Sequence, residues 1–498
     1  MTTMGKTPEN SRIYILGAGF AGRAIARDIR QKSALGSIVA FLDDDPAKVG
    51  RRIEGVPVLG PIRDVARLLA RTPADEAIIA IPSASRELLR ELYFLLKEAG
   101  FSRIRIVPDV AQVVEGDAHL VQAREIDPQD LLGRSPVAIG LRKSLAWLSG
   151  RRVIVTGAGG SIGSEIARQL LSAGVERLYL FGHGENSIYQ IDKELRALQT
   201  GGVGVSTAIV PVIGELKDRA YMENILKRLR ADVVFHTAAY KHVPMMEANT
   251  VAAIENNVFG TLNLVDACRE SGIKRFVLIS TDKAVEPLCT YGASKYLSER
   301  IVMEAQSKAS ANQHFMVVRF GNVLGSRGSI LPLFMQQVAR GGPVTVTDPK
   351  ARRYFMTIPE ACSLVLKAGG VGSGGESYLL DMGEPVLIKD LAEQVIRFSG
   401  FVPDDDIKIE YIGLRPGERL EEKLIADDEV LEGTIFPRIN RLVRKSGRFD
   451  LEPAIEALRP VCSPDPRKPG EYRNRRTLRA ALRKFVPTVE EMPDEPEY

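Results

Sequence analysis

The chain is poor in cysteine. Cys268, Cys289, Cys362 and Cys462 are the only four in 498 residues, and they lie far apart with no C-x-x-C pair among them. That excludes a disulfide framework and leaves no ligand set for a structural zinc, so no metal is expected. A reducing cytoplasm fits, and Cys289 reads as an inert packed thiol. Of the five histidines, His236 and His242 are six residues apart with no cysteine or carboxylate cluster, so each reads as a hydrogen-bonded structural residue. Long apolar runs are missing too. Nothing approaches the roughly 18 residues of a membrane span, and Met1 to Asn10 has no signal-peptide apolar region, so a soluble cytoplasmic chain is the expectation. Neither sign of charge is in excess, with 67 Lys and Arg against 63 Asp and Glu. So even a balance gives no reason to expect nucleic-acid binding and leaves small charged metabolites as partners. Hydrophobic content of 45% and charged content of 26% are those of an ordinary globular protein, long enough for two or three domains.

What is present is one βα pattern, met twice. In the first domain, residues 1–140, the strand-like run Arg12 to Leu16 leads into Gly17-Ala18-Gly19-Phe20-Ala21-Gly22. This G-x-G-x-x-G turn lets a pyrophosphate approach a helix N-terminus. A second strand, Ile38 to Leu42, ends in Asp43-Asp44-Asp45, where a carboxylate can accept hydrogen bonds from a ribose. Ala77 to Ile81 reads as a third strand, and Leu88, Leu89, Leu92, Leu95 and Leu96 as a periodic helix stopped by Gly100. The domain reads as Rossmann-like, of a CoA-binding type. No acid/base set follows its glycine turn, so nucleotide binding and a retained fold with an empty or regulatory pocket stand equal. Pro128 to Gly140 reads as a linker.

The second domain, residues 141–489, opens with Arg152 to Thr156 and the turn Thr156-Gly157-Ala158-Gly159-Gly160-Ser161-Ile162-Gly163. Five more strands are expected at Arg177 to Phe181, Ile209 to Ile213, Asp232 to His236, Arg275 to Ser280 and Phe315 to Arg319. Helix-length segments separate them, which predicts a doubly wound parallel sheet. The fold class is therefore α/β with two Rossmann-like domains. After the second strand, Gly182-His183-Gly184 holds no carboxylate for a ribose, and no arginine is evident for a 2′-phosphate, so NAD and NADP both stay open. Glu215 and Leu216 are placed to border an adenine ring, and Ala238 and Ala239 to let the chain pass under a ribose.

The stretch Ser280 to Lys295 carries the chemistry. Thr281, Asp282 and Lys283 put a hydroxyl, an acid and an amine at one strand tip. Tyr291 and Lys295, four apart on a helix, share a face, so that the ammonium is expected to lower the phenol's pKa. Farther on, Asn322, Arg327 and Ser329 in a glycine-rich loop, then Arg353, Arg415 and Glu418, offer groups suited to a diphosphate. The basic segment Arg467 to Lys484 and the acidic tail 490–498 read as a solvated helix and tail.

Together T-G-A-G-G-S-I-G-S-E, H-T-A-A-Y-K-H-V-P-M-M-E, S-T-D-K-A-V-E-P, Y-G-A-S-K, R-F-G-N-V-L-G-S-R-G-S, R-Y-F-M-T-I-P-E-A and G-L-R-P-G-E-R resemble the nucleotide-sugar 4,6-dehydratases of polysaccharide biosynthesis. These form a CapD-like branch of the extended short-chain dehydrogenase/reductases, and the resemblance covers about Gly133 to Leu424. It implies a small C-terminal substrate-binding part, NAD or NADP kept bound and regenerated, and UDP-N-acetylglucosamine or a related UDP-sugar as substrate. Thr156, Gly157, Gly160, Ser161, Ile162, Gly163, Glu215, Leu216, Ala238, Ala239, Tyr240, Asn257, Tyr291 and Lys295 would hold the cofactor. Lys241, Asn322, Arg327, Ser329, Arg353, Arg415 and Glu418 would hold the substrate. Tyr291 would take the 4-hydroxyl proton, Thr281 would orient that hydroxyl, Lys283 would remove the C5 proton and Asp282 would protonate the leaving 6-hydroxyl. Long members carry N-terminal membrane helices before this layout, and many have Met where this chain has Tyr291. The layout favours retention at C5, whereas Tyr291 is what the short members, which resemble inverting enzymes, keep, so both outcomes stay open. A homo-oligomer is expected from the fold. The rival readings are a UDP-sugar 4-epimerase and a non-catalytic NAD(P)-sensing protein.

Overall fold

The computed structural model describes residues 11–32, 36–82, 84–101, 103–107, 124–125, 145–445, 449–492 and 494–495. Two compact units divide the chain, Met1–Lys143 and Ser144–Tyr498. The linker read at Pro128 to Gly140 lies outside the described residues.

The first unit holds a five-stranded sheet in the order Ser37–Leu42, Arg12–Leu16, Glu76–Ile79, Arg103–Ile106, Arg124–Glu125, parallel except for the last strand. Ile13, Tyr14, Ile15 and Leu16 are all buried, the continuous apolar run of a strand covered on both faces. Helix Arg86–Glu98 starts where the Ser85 hydroxyl accepts the Leu88 N–H. Asp43 is turned back on the glycine-rich turn, accepting the Ala18 N–H at 2.7 Å and pairing with Lys48 at 3.1 Å.

In the second unit the chain enters near the middle of a nine-stranded sheet, at Arg152–Thr156. It steps outward through Arg177–Gly182 and Ala208–Ile213, then crosses back to Val233–His236 on the other side of the first strand. Arg275–Thr281, His314–Phe320 and Ser377–Leu380 continue in parallel, and Ile439–Arg444 and Glu429–Gly433 add two antiparallel strands. The doubly wound α/β expectation holds. The order reverses between Arg152–Thr156 and Val233–His236, and a crevice for ligands opens outside the carboxyl ends of strands at such a point. Branched and aromatic residues fill the core, with the Phe276 and Phe315 rings stacked 5.5 Å apart between centroids.

The helix expected in the C-terminal segment forms, but the reading of helix and tail as solvated is corrected. Helix Arg475–Phe485 buries Leu478 and Leu482, an i,i+4 pair, with Arg479 between them. Arg479 pairs with Glu247 at 2.7 Å and with Glu495, which is 3% exposed. Glu490 donates its N–H to the Leu288 carbonyl, so the tail rests on the loop that precedes Tyr291. Charge alone misleads here because each buried ion meets an opposite one.

Candidate active site

The turn after Arg152–Thr156 is built for close approach of main chain to main chain. Gly157 has φ +67°, and a β-carbon on it would lie 2.8 Å from the Ala238 nitrogen; one on Gly163 would run into the Gly157 carbonyl oxygen. Helix Ser161–Ser172 is capped by Gly160 and uses no side chain for the purpose, which leaves its first N–H groups to an anion. Thr156 is fixed from behind, its Oγ1 2.7 Å from His236 Nδ1, while His236 Nε2 lies 3.0 Å from Thr261 Oγ1. Burial, with the Lys295 charge adding, pushes His236 down to about 3, so it stays neutral and structural, as its sequence context suggested.

Asn257 lies in a π-helical turn, Glu255–Phe259, a kind of irregularity often found at functional sites. Its side chain accepts the Tyr240 N–H and donates to the Tyr240 carbonyl, both at 2.9 Å, and also donates to Ser294 Oγ at 2.9 Å. Ser294 in turn donates to the Tyr291 carbonyl at 2.7 Å. Asn257 thus joins the end of one strand to the helix that bears Tyr291 and Lys295. Ser161 Oγ accepts the Arg327 N–H at 3.0 Å, and the Ile162 carbonyl accepts from Cys362 at 3.6 Å. Ala238 and Ala239 are half-buried beside the turn. Glu215 is exposed and 3.7 Å from Lys217. The Leu216 side chain lies in the core, so only its main chain faces any ligand.

The groups expected to act as acid and base meet at the tip of Arg275–Thr281. There the chain makes a 3₁₀ turn, Asp282–Ala284, and re-enters as helix Thr290–Ser307. Thr281 Oγ1 donates to Asp282 Oδ1 at 2.8 Å, and Lys283 Nζ donates to that oxygen at 3.1 Å and to Asn322 Oδ1 at 3.3 Å. The other Asp282 oxygen is buried without a hydrogen-bond partner among the described residues. Tyr291 lies close enough to the Thr281 side chain to interact with it. Lys295 Nζ donates to the Ile279 carbonyl at 2.7 Å, and burial pushes it down to about 8.

Two expectations about these groups change. Burial pushes Tyr291 up to about 12, and the cation that opposes this most is Lys283, since the Lys295 ammonium is turned to a strand carbonyl. Lys283 rests as an ammonium rather than a free amine: burial lowers it, but the carboxylates of Asp282 and Glu422 outweigh burial and hold it above its ordinary value. Glu422 is the residue that sequence reasoning missed. It is buried, 3.3 Å from Lys283 Nζ and 3.9 Å from Arg353 Nε. It lies in R-L-E-E-K, four residues after Glu418, and nothing in that acidic run marks it out.

The expected substrate groups fall into three places. Arg327 lies over the glycine-rich turn, its Nη1 donating to the Gly159 carbonyl at 3.0 Å, and Lys241 donates to Ser326 Oγ at 3.3 Å nearby in sequence to it. Ser329 Oγ is buried with no partner among the described residues. Asn322 and Arg353 join the Lys283 cluster, Arg353 also donating to the Leu420 carbonyl at 3.0 Å. Arg415 and Glu418 close an exposed turn on each other, Arg415 N–H donating to Glu418 Oε2 at 3.3 Å. Among the described residues no helix is long and apolar enough to cross a membrane, and no group of His, Cys, Asp and Glu could hold a metal ion.

Residues 153–444 match the family model described as polysaccharide biosynthesis protein, and residues 6–108 match that of a CoA-binding domain. A probable polysaccharide biosynthesis protein, EpsC of Bacillus subtilis, is 43% identical over 86% of this chain and 71% of its own length. An inverting UDP-N-acetylglucosamine 4,6-dehydratase of Campylobacter jejuni is 32% identical over 56% of this chain and 79% of its own. Among solved structures, Pen from Bacillus thuringiensis superposes with a TM-score of 0.54 at 32% identity, covering 60% of this chain and 90% of that one. With the glycine turn, the Thr281, Asp282 and Lys283 cluster and the helix of Tyr291 and Lys295 at the carboxyl ends of strands of one parallel sheet, the chain belongs to the polysaccharide biosynthesis protein family, in the CapD-like branch of the extended short-chain dehydrogenase/reductases.

Proposed function

We propose that this chain is a UDP-N-acetylglucosamine 4,6-dehydratase that supplies a 6-deoxy-4-keto sugar nucleotide to glycan or surface-polysaccharide biosynthesis. The observation that carries the reading is the hydrogen-bonded set Thr281, Asp282 and Lys283 beside Tyr291, which places an elimination pair next to a hydride-transfer base. A 4-epimerase needs Tyr291 and Lys295 and has no use for the Asp282 and Lys283 pair.

NAD or NADP would be held by Thr156, Gly157, Gly160, Ser161, Ile162 and Gly163 at the phosphates, Glu215 and the Leu216 main chain toward the adenine, and Ala238, Ala239, Tyr240, Asn257, Tyr291 and Lys295 toward the other end. The β-carbon-free approach of Gly157 to Ala238 fits such a group. Held there, the nicotinamide would supply a hydride acceptor and donor and a positive ring that would favour the phenolate form of Tyr291.

Tyr291 takes the 4-hydroxyl proton, and Thr281 orients that hydroxyl. Lys283 passes its proton across 3.1 Å to Asp282, which makes one a base and the other an acid in a single step. Lys283 then removes the C5 proton, acidified by the 4-ketone, as Asp282 protonates the departing 6-hydroxyl. Lys283 later returns a proton to C5. The proton left on Tyr291 passes through Thr281 and Asp282 to Lys283, so each turnover releases one water and restores the residues. Lys241, Asn322, Arg327, Ser329, Arg353, Arg415 and Glu418 contact the nucleotide sugar in this reading.

Retention at C5 is the reading from the two-unit layout, over most of which the Bacillus subtilis relative matches, and the product's ring couplings test it against inversion. The chain is read as a cytoplasmic homo-oligomer; four free, buried thiols support the compartment, and light scattering tests the assembly. Asp282→Asn tests the mechanism. It blocks dehydration and leaves nicotinamide binding within a few-fold of wild type; loss of cofactor binding in that variant counts against the assignment.

A further inference from the structure

Lys283 is gripped from four sides. On its own turn is Asp282; from the strand that follows His314–Phe320 comes Asn322; from the C-terminal part come Glu422 and the opposing charge of Arg353; from the helix side come Tyr291 and Cys289. Of these, Glu422 alone brings a second negative charge, and it does so from 8% exposure and 139 residues away along the chain. The segment that carries Glu422 is anchored on the same loop at two more points. Arg419 donates to the Glu286 carbonyl, and Lys423 pairs with the Glu286 carboxylate at 2.8 Å. Glu286 has φ +42°, a left-handed conformation that a non-glycine residue keeps only when its surroundings hold it there. Three successive contacts, from Arg419, Glu422 and Lys423, therefore fix the loop between the elimination pair and Tyr291.

We propose that Glu422 is a positioning residue of the elimination step, holding Lys283 Nζ against Asp282 and setting the pH at which Lys283 gives up its proton. This rests on the dehydratase reading for its use in turnover, though not for the contact itself. Taking the charge from Glu422 leaves Lys283 with one carboxylate and the repulsion of Arg353, so the lysine loses its proton at lower pH.

The test compares wild type with Glu422→Gln, Glu422→Asp and Glu421→Gln, the last an exposed neighbour. Lys283 is titrated in the intact protein by competitive acetylation with acetic anhydride, read by mass spectrometry of its peptide, and the pH dependence of kcat is measured on UDP-N-acetylglucosamine. In Glu422→Gln the labelling midpoint falls by about one pH unit or more, and the limb of kcat that reports Lys283 moves down with it while KM changes little. Glu422→Asp, which keeps the charge, recovers most of the midpoint, and Glu421→Gln leaves both readouts unchanged. A wild-type midpoint in Glu422→Gln overturns the proposal, as does a midpoint in Glu422→Asp as low as in Glu422→Gln. Labelling needs no turnover, so a wild type that fails to dehydrate the substrate overturns the functional reading alone.

Discussion

Arg319 Nη2 and Glu299 Oε2 meet at 2.8 Å with no more than 1% of either side chain exposed. Glu299 stands one turn beyond Lys295 on its helix, and Arg319 is on the strand next to Thr281. Ser280 donates to Glu299 at 2.6 Å, and Glu429, itself paired with Arg444, takes the rest of the guanidinium at 2.8 Å. This buried cluster sets the register of the Tyr/Lys helix against the strand tip.

Arg319→Met leaves the buried Glu299 and Glu429 with only Arg300 and Arg444 at their flanks to offset them. Breaking a buried pair from one side costs about 3–5 kcal/mol, and urea unfolding of the second unit's transition should show a loss of that size. Replacing Arg319, Glu299 and Glu429 together with apolar residues of similar volume should cost less than Arg319→Met alone. Equal or larger loss in the triple variant contradicts this account.

Acid should weaken the fold in two windows. His236 is held down to about 3 against 6.5, so the unfolded chain binds a proton there first; its stability contribution is complete above pH 6.5 and fades as pH falls toward 3. Glu429 is held down to about 2 against 4.5, despite burial, by Arg319, the Ala426 N–H and Arg444; its contribution fades from 4.5 toward 2. Urea midpoints measured from pH 7 to 3 should decline throughout, and His236→Gln should flatten the part between 6.5 and 4.5.

Gly163→Ala forces a methyl into the Gly157 carbonyl oxygen and moves the turn. Strain of about 1–3 kcal/mol at this turn predicts nicotinamide binding weaker by on the order of tenfold or more, measured by calorimetry with NADH and NADPH, with the second unit still folded by circular dichroism. The tighter of the two also decides which cofactor the Gly182-His183-Gly184 strand end accepts.

Tyr291→Phe keeps the buried ring and removes the hydroxyl. The expected loss is about 10²–10⁴ in kcat, with KM and cofactor retention changed only a few-fold. A loss carried mainly by KM would assign Tyr291 to binding instead.

What was legible in the sequence follows from range. The glycine turns and the Tyr291 to Lys295 spacing are local demands of backbone and helix geometry, so the residues announce them. The parallel sheet was legible because its strands are apolar along their length, as in Val153, Ile154 and Val155. Glu422 was not, because its contact with Lys283 bridges distant chain and Glu418, Glu421 and Glu422 look alike. The Tyr291 environment was misjudged because burial, invisible in Y-x-x-x-K, outweighs the charge of Lys283. The C-terminal helix was legible, but its burial was hidden by its arginines, although Leu478 and Leu482 already mark one buried face.

The central claim is tested most directly by proton NMR of the purified chain with UDP-N-acetylglucosamine in deuterated buffer, with NAD and NADP each supplied. The account predicts a new C6 methyl signal matching the loss of substrate, deuterium at C5, no accumulation of reduced cofactor, and ring couplings that report retention. Conversion to the C4 epimer with no methyl signal, or an unchanged substrate with both cofactors, would contradict it, the first in favour of an epimerase and the second in favour of a cofactor-sensing protein.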